Sequence, residues 1–416
     1  MIQKIYANVK LENRHKVDLV VSSLSIYKGK WNGSKMLDKQ PAEMINTFFE
    51  QDEDLGEPNI LFENSNSMFI GSTIIGNGFV LTQSEMDLLI ASDSRNAEVI
   101  MPLVNCENLN QNPLQTPTRF IINFHDWTLE HASDYLEPLE RIKTLVKPER
   151  DVNPIRSRRE NWWQFGAIAS GLYSKIKDIE QCFAAARTTK YLCFSGISTD
   201  SVFTDAVIFT IDRWDHLSVL QSNIHEVWAR RFSSSFGQGL RYSPSKCFQT
   251  FTFPQGLWKT SNADLKQIGE RYHAHRKELM LSLWLGLTDL YNLFHDRDLS
   301  PEITALSSKK DKETATAGYE GILELRSLHV LLDIAVRDAY SWQDLDLEHG
   351  FHEVETLPEN DRTRYTISPK ARREVLKRLL AENHARTKVE SQNDGPKSSK
   401  RKLSTESTDN EPELYD

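Results

Sequence analysis

Cysteine is scarce in this chain. Cys106, Cys182, Cys193 and Cys247 are the only four in 416 residues, and none stands in CxxC spacing. That excludes a disulfide framework and gives no sign of a zinc site. Long apolar runs are also missing; none approaches the roughly 20 residues that a bilayer span needs. The opening residues, Met1 to Lys10, lack an apolar core followed by a small-residue cleavage site, so no signal peptide is expected and a cytoplasmic location is. No P-loop and no GxSxG elbow occurs. Gly76-Asn77-Gly78 lacks the third glycine of a nucleotide loop, which favours a turn.

Positive charge is in deficit as well. Fifty Lys and Arg against 59 Asp and Glu leave a net charge of −9. Such a protein is no indiscriminate coat for nucleic acid, although binding depends on local potential and one basic cleft suffices. Against that background, Lys147 to Trp163 stands out. It holds Lys147, Arg150, Arg156, Arg158 and Arg159 beside the adjacent pair Trp162 and Trp163. Guanidinium groups present a planar fork of donors that matches phosphate oxygens. The tryptophans could stack on bases or anchor the segment to a core. The plainer reading is a solvated loop with its tryptophans turned inward.

The 39% hydrophobic and 10% aromatic content supports a globular protein of two or three domains. Val17 to Trp31 holds a β-branched run that predicts a buried strand, joined to a sheet formed later in the chain or on another one. Residues 41–65 are poorly patterned and read as a linker. Thr82-Gln-Ser-Glu85 is a capping-box pattern before a short helix. Strand-like pieces follow at Val99–Leu103, Phe120–Phe124, Tyr191–Phe194 and Val202–Ile211. Helical periodicity marks Leu217–Phe232, Leu265–Phe294 and Gly321–Tyr340. Low hydrophobicity makes Ser300–Ala317 a linker. Ser368-Pro369 predicts a capped helix start, and the polar stretch beyond Thr387 reads as disordered.

Three further groups could carry chemistry. His349-Gly-Phe-His352-Glu353 gathers two histidines and a glutamate, but the glycine suggests a turn and structural histidines rather than a metal site. His125 and Asp126 could form an acid/base pair, yet neighbours on a strand point to opposite faces. Arg187, Lys190, Arg241 and Tyr242 flank turns from which cations reach base edges, or simply form surface salt bridges.

Taken together, several blocks resemble the MmeI-like adenine-specific DNA methyltransferases. They include Gly71-Ser-Thr-Ile-Ile-Gly-Asn-Gly-Phe-Val-Leu-Thr82, Asp93-Ser-Arg-Asn-Ala-Glu98, Asn105-Cys-Glu-Asn-Leu-Asn110 and Phe120-Ile-Ile-Asn-Phe-His-Asp-Trp127. Val146-Lys-Pro-Glu-Arg150, Trp162-Trp163-Gln164, Leu220 to Trp228, Arg241-Tyr-Ser-Pro244, Thr250 to Pro254, Leu328-His329, Gly350-Phe-His352 and Tyr365 to Ser368 continue the series in order. The resemblance runs from about Val17 to about Arg386. It implies an α+β fold: the end of a methyltransferase domain plus linker (1–65), a mixed α/β target-recognition domain (66–255), a mainly helical C-terminal region (256–386, with a linker at 300–317) and a tail (387–416).

Enzymes of this family methylate the exocyclic amine of adenine in restriction-modification and phage-defence systems, with S-adenosylmethionine as donor. The family's Asn-Pro-Pro-Phe/Tyr motif is absent here. The Asn-Pro pairs are Asn112-Pro113-Leu114 and Asn153-Pro154-Ile155, and the glycine loop for the methyl donor is missing too. The chain therefore resembles the recognition part without the catalytic core. The expected partner is double-stranded DNA, with catalysis on a separate subunit. The alternative is a stand-alone DNA-binding or interaction protein derived from a truncated enzyme. The resemblance implies that Arg150, Arg156, Arg158 and Arg159 position phosphates. Arg187, Lys190, Arg241 and Tyr242 become candidates for groove or backbone contacts, and Trp162 and Trp163 brace the arginine segment. No catalytic, cofactor-binding or metal residue is assigned.

Overall fold

The computed structural model describes residues 2–12, 18–26, 35–37, 40–42, 56–236, 239–354 and 356–393. Two compact units emerge, Met1–Pro58 and Asn59–Asp416. In the first, the expected strand is present as Asp18–Ile26. Its partner is not a later segment but the preceding strand, Ile2–Glu12, in an antiparallel pair. Lys35–Leu37 joins Ile2–Glu12 in parallel, and Gln40–Ala42 closes a four-stranded sheet.

The second unit begins with two small sheets. One orders Ser195–Ser198, Gln181–Ala186, Ala206–Phe209 and Met68–Ile70, every pair antiparallel. The other orders Val202–Phe203, Ile100–Val104, Arg119–Ile122 and Val80–Leu81, with its first pair parallel. The central strand Gln181–Ala186 has no β-branched residue, so it gives little strand signal in sequence. Its alanines lie buried, and Ala184 packs into a core with Leu172, Ile176, Cys182 and Ile208. A separate core gathers Phe79, Leu81, Ile121, Ile142 and Val146. Tyr191–Phe194, read as strand, is irregular chain between Thr188–Thr189 and Ser195–Ser198.

Capping explains where the helices start and stop. Thr82 accepts from the amide of Glu85 while Glu85 accepts from that of Thr82, which fixes the helix Gln83–Ser92. Leu217–Phe232 is two helices, Trp214–Gln221 and Asn223–Phe232. They part at Ser222, whose extended backbone lets its hydroxyl cap the second one. Ala263–Leu283 and Leu287–Phe294 likewise part at Trp284, which is left-handed at φ 56°. The segment expected as a linker at 300–317 is helical instead. Ser300 caps Pro301–Ser308, and Asp311 caps the 28-residue helix Lys312–Ala339. The final helix, Pro369–Asn393, passes the expected disorder boundary at Thr387; residues beyond 393 lie outside those described. Among the described residues no helix is long and apolar enough to cross a membrane.

A long helix of the C-terminal region packs on the helix Trp214–Gln221. Ala263–Leu283 crosses Trp214–Gln221 at Gly269, where an added Cβ would fall 2.3 Å from Ser218 Oγ and 2.7 Å from Trp214 O. Backbone oxygen at that distance leaves no room for a methyl group. Gly269→Ala is therefore expected to destabilise the fold by about 1–3 kcal/mol, read from urea denaturation. An unchanged midpoint would show that the helices part without cost.

Candidate nucleic-acid interface

The basic segment is mostly built into the protein. Lys147–Asp151 and Arg156–Glu160 are two short helices, joined by a turn in which Asn153 Oδ1 accepts from the amide of Ile155. Arg150 is fully buried. Its guanidinium donates to the carbonyls of Ile75 (3.2 Å), Gln164 (3.0 Å) and Arg158 (3.5 Å). Burial pulls its pKa below the usual value, but an arginine stays charged at neutral pH. The expected phosphate contact by Arg150 is thus corrected, because its donors serve carbonyls inside the fold. Arg159 donates to the carbonyls of Asn153 and Pro154, clamping the turn between the helices. Lys147 pairs with Asp151 at 2.7 Å. Arg156 pairs with Glu160 at 2.7 Å, yet its side chain is 80% exposed. Arg158 is half-buried. Trp162 and Trp163 are buried in the core with Phe79 and Phe165, and Trp163 Nε1 donates to Trp127 O.

The fold gathers most of the second group on one small sheet. Thr188–Thr189, Gly239–Arg241 and Ser234–Phe236 run antiparallel, with Arg241 opposite both Thr188 and Ser234. The amide of Tyr242 donates to the carbonyl of Arg187 at 2.8 Å, so Arg187 and Arg241 flank one strand pair. Tyr242 corrects a second expectation: it is fully buried. Its hydroxyl lies 3.0 Å from His225 Nε2, while His225 Nδ1 lies 2.8 Å from Leu220 O. A carbonyl can only accept, so Nδ1 carries the proton and Nε2 accepts from the tyrosine. Tyr242 supports the sheet from beneath and presents nothing to a ligand. Lys190 is held by Asn292 Oδ1 (2.9 Å) and Asp361 Oδ1 (3.1 Å), and its ammonium lies 5.1 Å from the Tyr191 ring centroid.

Asn292 and Asp361 belong to the C-terminal region, and sequence reasoning missed both. So it did Arg276, fully buried, which donates to Phe194 O, Ser195 Oγ (3.2 Å) and Gln221 Oε1 (3.1 Å). Their only sequence signal is that of charged and amide residues within amphipathic patterns, which does not reveal a distant partner. His349 is a structural histidine: it sits 2.8 Å from buried Asp333, which also accepts from the backbone and side-chain amides of Asn223. His352 Nε2 faces the carbonyl of Glu348. The described residues contain no cluster of three His, Cys, Asp or Glu able to hold a metal ion. His125 is left-handed in a turn, with its amide donating to Asn123 Oδ1. Gly76-Asn77-Gly78 is a turn, and Gly78 leaves room for Leu145 and Val146.

Two outcomes follow from these arrangements. Removing the Arg150 side chain takes a donor from three carbonyls and opens a cavity. Arg150→Ala should therefore cost roughly 2–4 kcal/mol of stability. Its melting temperature should fall, with no selective change in the salt dependence of DNA binding at a temperature where the variant is folded. The second outcome concerns pH. Burial pushes His225 down to about 4 and His273 down to about 3. In the unfolded chain a histidine binds its proton near pH 6.5. The unfolded state therefore takes up protons first. Stability is fully present above about pH 6.5 and falls as pH drops toward about 4. Urea midpoints that stay flat across that window would contradict the buried neutral histidines.

Comparison with known proteins bears on what this arrangement serves. Residues 58–255 match the family model described as MmeI, target recognition domain. Among solved structures, the chain is similar to the type IIL restriction-modification enzyme MmeI in complex with DNA. The TM-score is 0.59 at 15% identity, over 92% of this chain and 46% of that one. The chain thus spans less than half the length of that enzyme. No curated protein matches. The structural likeness covers more of the chain than the family model does. Over residues 58–255 the chain is thus similar to MmeI target recognition domains, and over the rest the likeness is one of fold.

Proposed function

We propose that this chain is the sequence-specific DNA-recognition part of an adenine-N6 DNA methyltransferase of a restriction-modification or phage-defence system. The observation that carries the reading is the recognition-domain match over residues 58–255, within which Arg187 and Arg241 flank a single strand pair. In such an interface, cations on phosphates set the register on the duplex, and a few side chains at base edges set sequence. Arg156 and Arg158 are assigned to phosphates. Arg187 and Arg241 are assigned to the groove, where a guanidinium can pair with guanine. A methyltransferase acting on adenine must take the base out of the helix, so a recognition part has to grip the duplex on either side of an unstacked step.

The methyl transfer itself is assigned elsewhere. S-adenosylmethionine is the donor implied for a complete enzyme, and when bound it would supply the methyl group. It does not fit the cavity between Tyr191, Asn223, Glu226, His295 and His329, which has room for about one water molecule. With no Asn-Pro-Pro-Phe/Tyr sequence in the chain, no catalytic step is derived for its residues. A separate catalytic subunit completes the proposed assembly, which acts in the cytoplasm.

The test is selection from a library of DNA duplexes with a randomised core, using the full chain. One enriched sequence is the expected result; recovery of no sequence above background would falsify the reading. On the enriched duplex, Arg158→Ala should lower the slope of log affinity against log salt by about one and leave sequence preference intact. Arg241→Ala should instead relax preference at one base pair, at a cost of about 1–3 kcal/mol.

A further inference from the structure

The segment from Thr188 to Gly196 joins the small cationic sheet to the strand Ser195–Ser198, and residues of the C-terminal region grip it along its length. Lys190 reaches Asn292 and Asp361. The hydroxyl of Tyr191 donates to Asn292 Oδ1 at 2.9 Å. The Tyr191 ring stacks on His295, with centroids 5.0 Å apart, and the guanidinium carbon of Arg364 lies 5.1 Å from its centroid. Arg276 takes Phe194 O, and the amide of Gly196 donates to His273 Nε2 at 3.2 Å. Asp361 is itself held by two hydrogen bonds from Arg364, at 3.0 and 2.6 Å.

Each of these holders lies beyond residue 255, outside the matched recognition domain. The segment has no ladder of its own between residues 190 and 194, so its course is set by these side chains together with Gln221, which accepts from the amide of Phe194 and donates to the carbonyl of Leu192. The strand Thr188–Thr189 immediately precedes it and pairs with the strand that carries Arg241. A shift at Lys190 would therefore displace the partner of Arg241.

We infer that Asp361 is a positioning residue for DNA recognition, acting through Lys190 to fix the strand that Arg241 pairs with. The inference rests on the proposed recognition function and extends its apparatus to the C-terminal region. Lys190 consequently changes role, from a groove contact to the near end of a strut. The sign of the charge effect separates the two roles. A lysine on phosphate would be hindered by a neighbouring carboxylate, so neutralising Asp361 would strengthen binding. A lysine in a strut needs that carboxylate, and neutralising it loosens the strand.

The side chains of Lys190 and Asp361 are 37% and 18% exposed, so exchanging either does not open a core. Buried Arg276 is less suitable, because its loss would unfold the junction. The full chain would be tested as Asp361→Asn, Lys190→Met and the conservative Lys190→Arg. The probes are the duplex enriched by the parent and a scrambled duplex of equal length.

Asp361→Asn and Lys190→Met are expected to bind the enriched duplex about ten-fold more weakly and the scrambled duplex unchanged, with the salt slope preserved. Lys190→Arg, which keeps a cation beside Asp361, should retain most of the parent's affinity. Tighter binding by Asp361→Asn to both duplexes would overturn the inference. So would a slope reduced by about one in Lys190→Met, since either outcome places Lys190 on phosphate. Enrichment by the parent with no change in any variant sinks the strut alone. Failure of the parent to enrich a sequence sinks the recognition reading and the strut with it.

Discussion

Buried guanidinium groups on backbone carbonyls hold this structure together. Regular elements satisfy their own carbonyls, whereas turns and helix ends leave theirs without a partner. Arg150 serves the chain at Ile75, Arg158 and Gln164. Arg276 serves Phe194. Arg326 serves Leu293, Phe294 and Asp296 at the end of the helix Leu287–Phe294. One planar cation with five donors can reach several carbonyls of irregular chain at once, which an ammonium or a hydroxyl does less well. The fold has many short elements, so it needs such groups at many junctions. Where they sit decides which loops are rigid.

That requirement alters how the arginine-rich segment is understood. Five cations between Lys147 and Arg159 suggest a surface made for phosphate. In the folded protein, Arg150 and Arg159 build the turn, and Lys147 answers Asp151. What stays exposed is chiefly Arg156, itself beside Glu160. The segment is thus a rigid support with a small cationic outlet, consistent with a protein whose overall charge is −9. Surface ion pairs of this kind contribute little to stability, so exchanging Glu160 for a phosphate is energetically accessible.

Local chemistry was legible in the sequence wherever it was self-contained. The capping box at Thr82 and the Ser368-Pro369 helix start depend on residues within one turn, and both are present. The same serine-proline signature at Ser300-Pro301 lies in a stretch whose low hydrophobicity reads as a linker, yet it begins a helix in the same way. Hydropathy outweighed capping there, and the cap was the better guide. The strand Gln181–Ala186 was invisible for the opposite reason. Alanine has no strand preference, and its place in the centre of the sheet follows from close packing of neighbours on both sides. Family blocks marked out the recognition region, but they did not separate a buried Tyr242 from the arginine beside it. Adjacent strand residues face opposite ways, and only the sheet shows which one meets the core.

The least legible part is the dependence of the recognition segment on residues far along the chain. Asp361 lies about 170 positions beyond Lys190, and nothing in either neighbourhood marks them as partners. Such contacts matter because a loop that offers side chains to a base edge must be stiff before the duplex arrives; otherwise its ordering entropy is lost from the affinity. Irregular chain cannot stiffen itself, lacking the repeated hydrogen bonds of helix or sheet. Here much of the stiffness comes from side chains of the C-terminal region, with Gln221 beside them. This accounts for the way the recognition sheets and the C-terminal helices form one compact unit, although the recognition-domain match ends at residue 255. A domain boundary drawn at that residue would cut through the supports of the proposed binding surface.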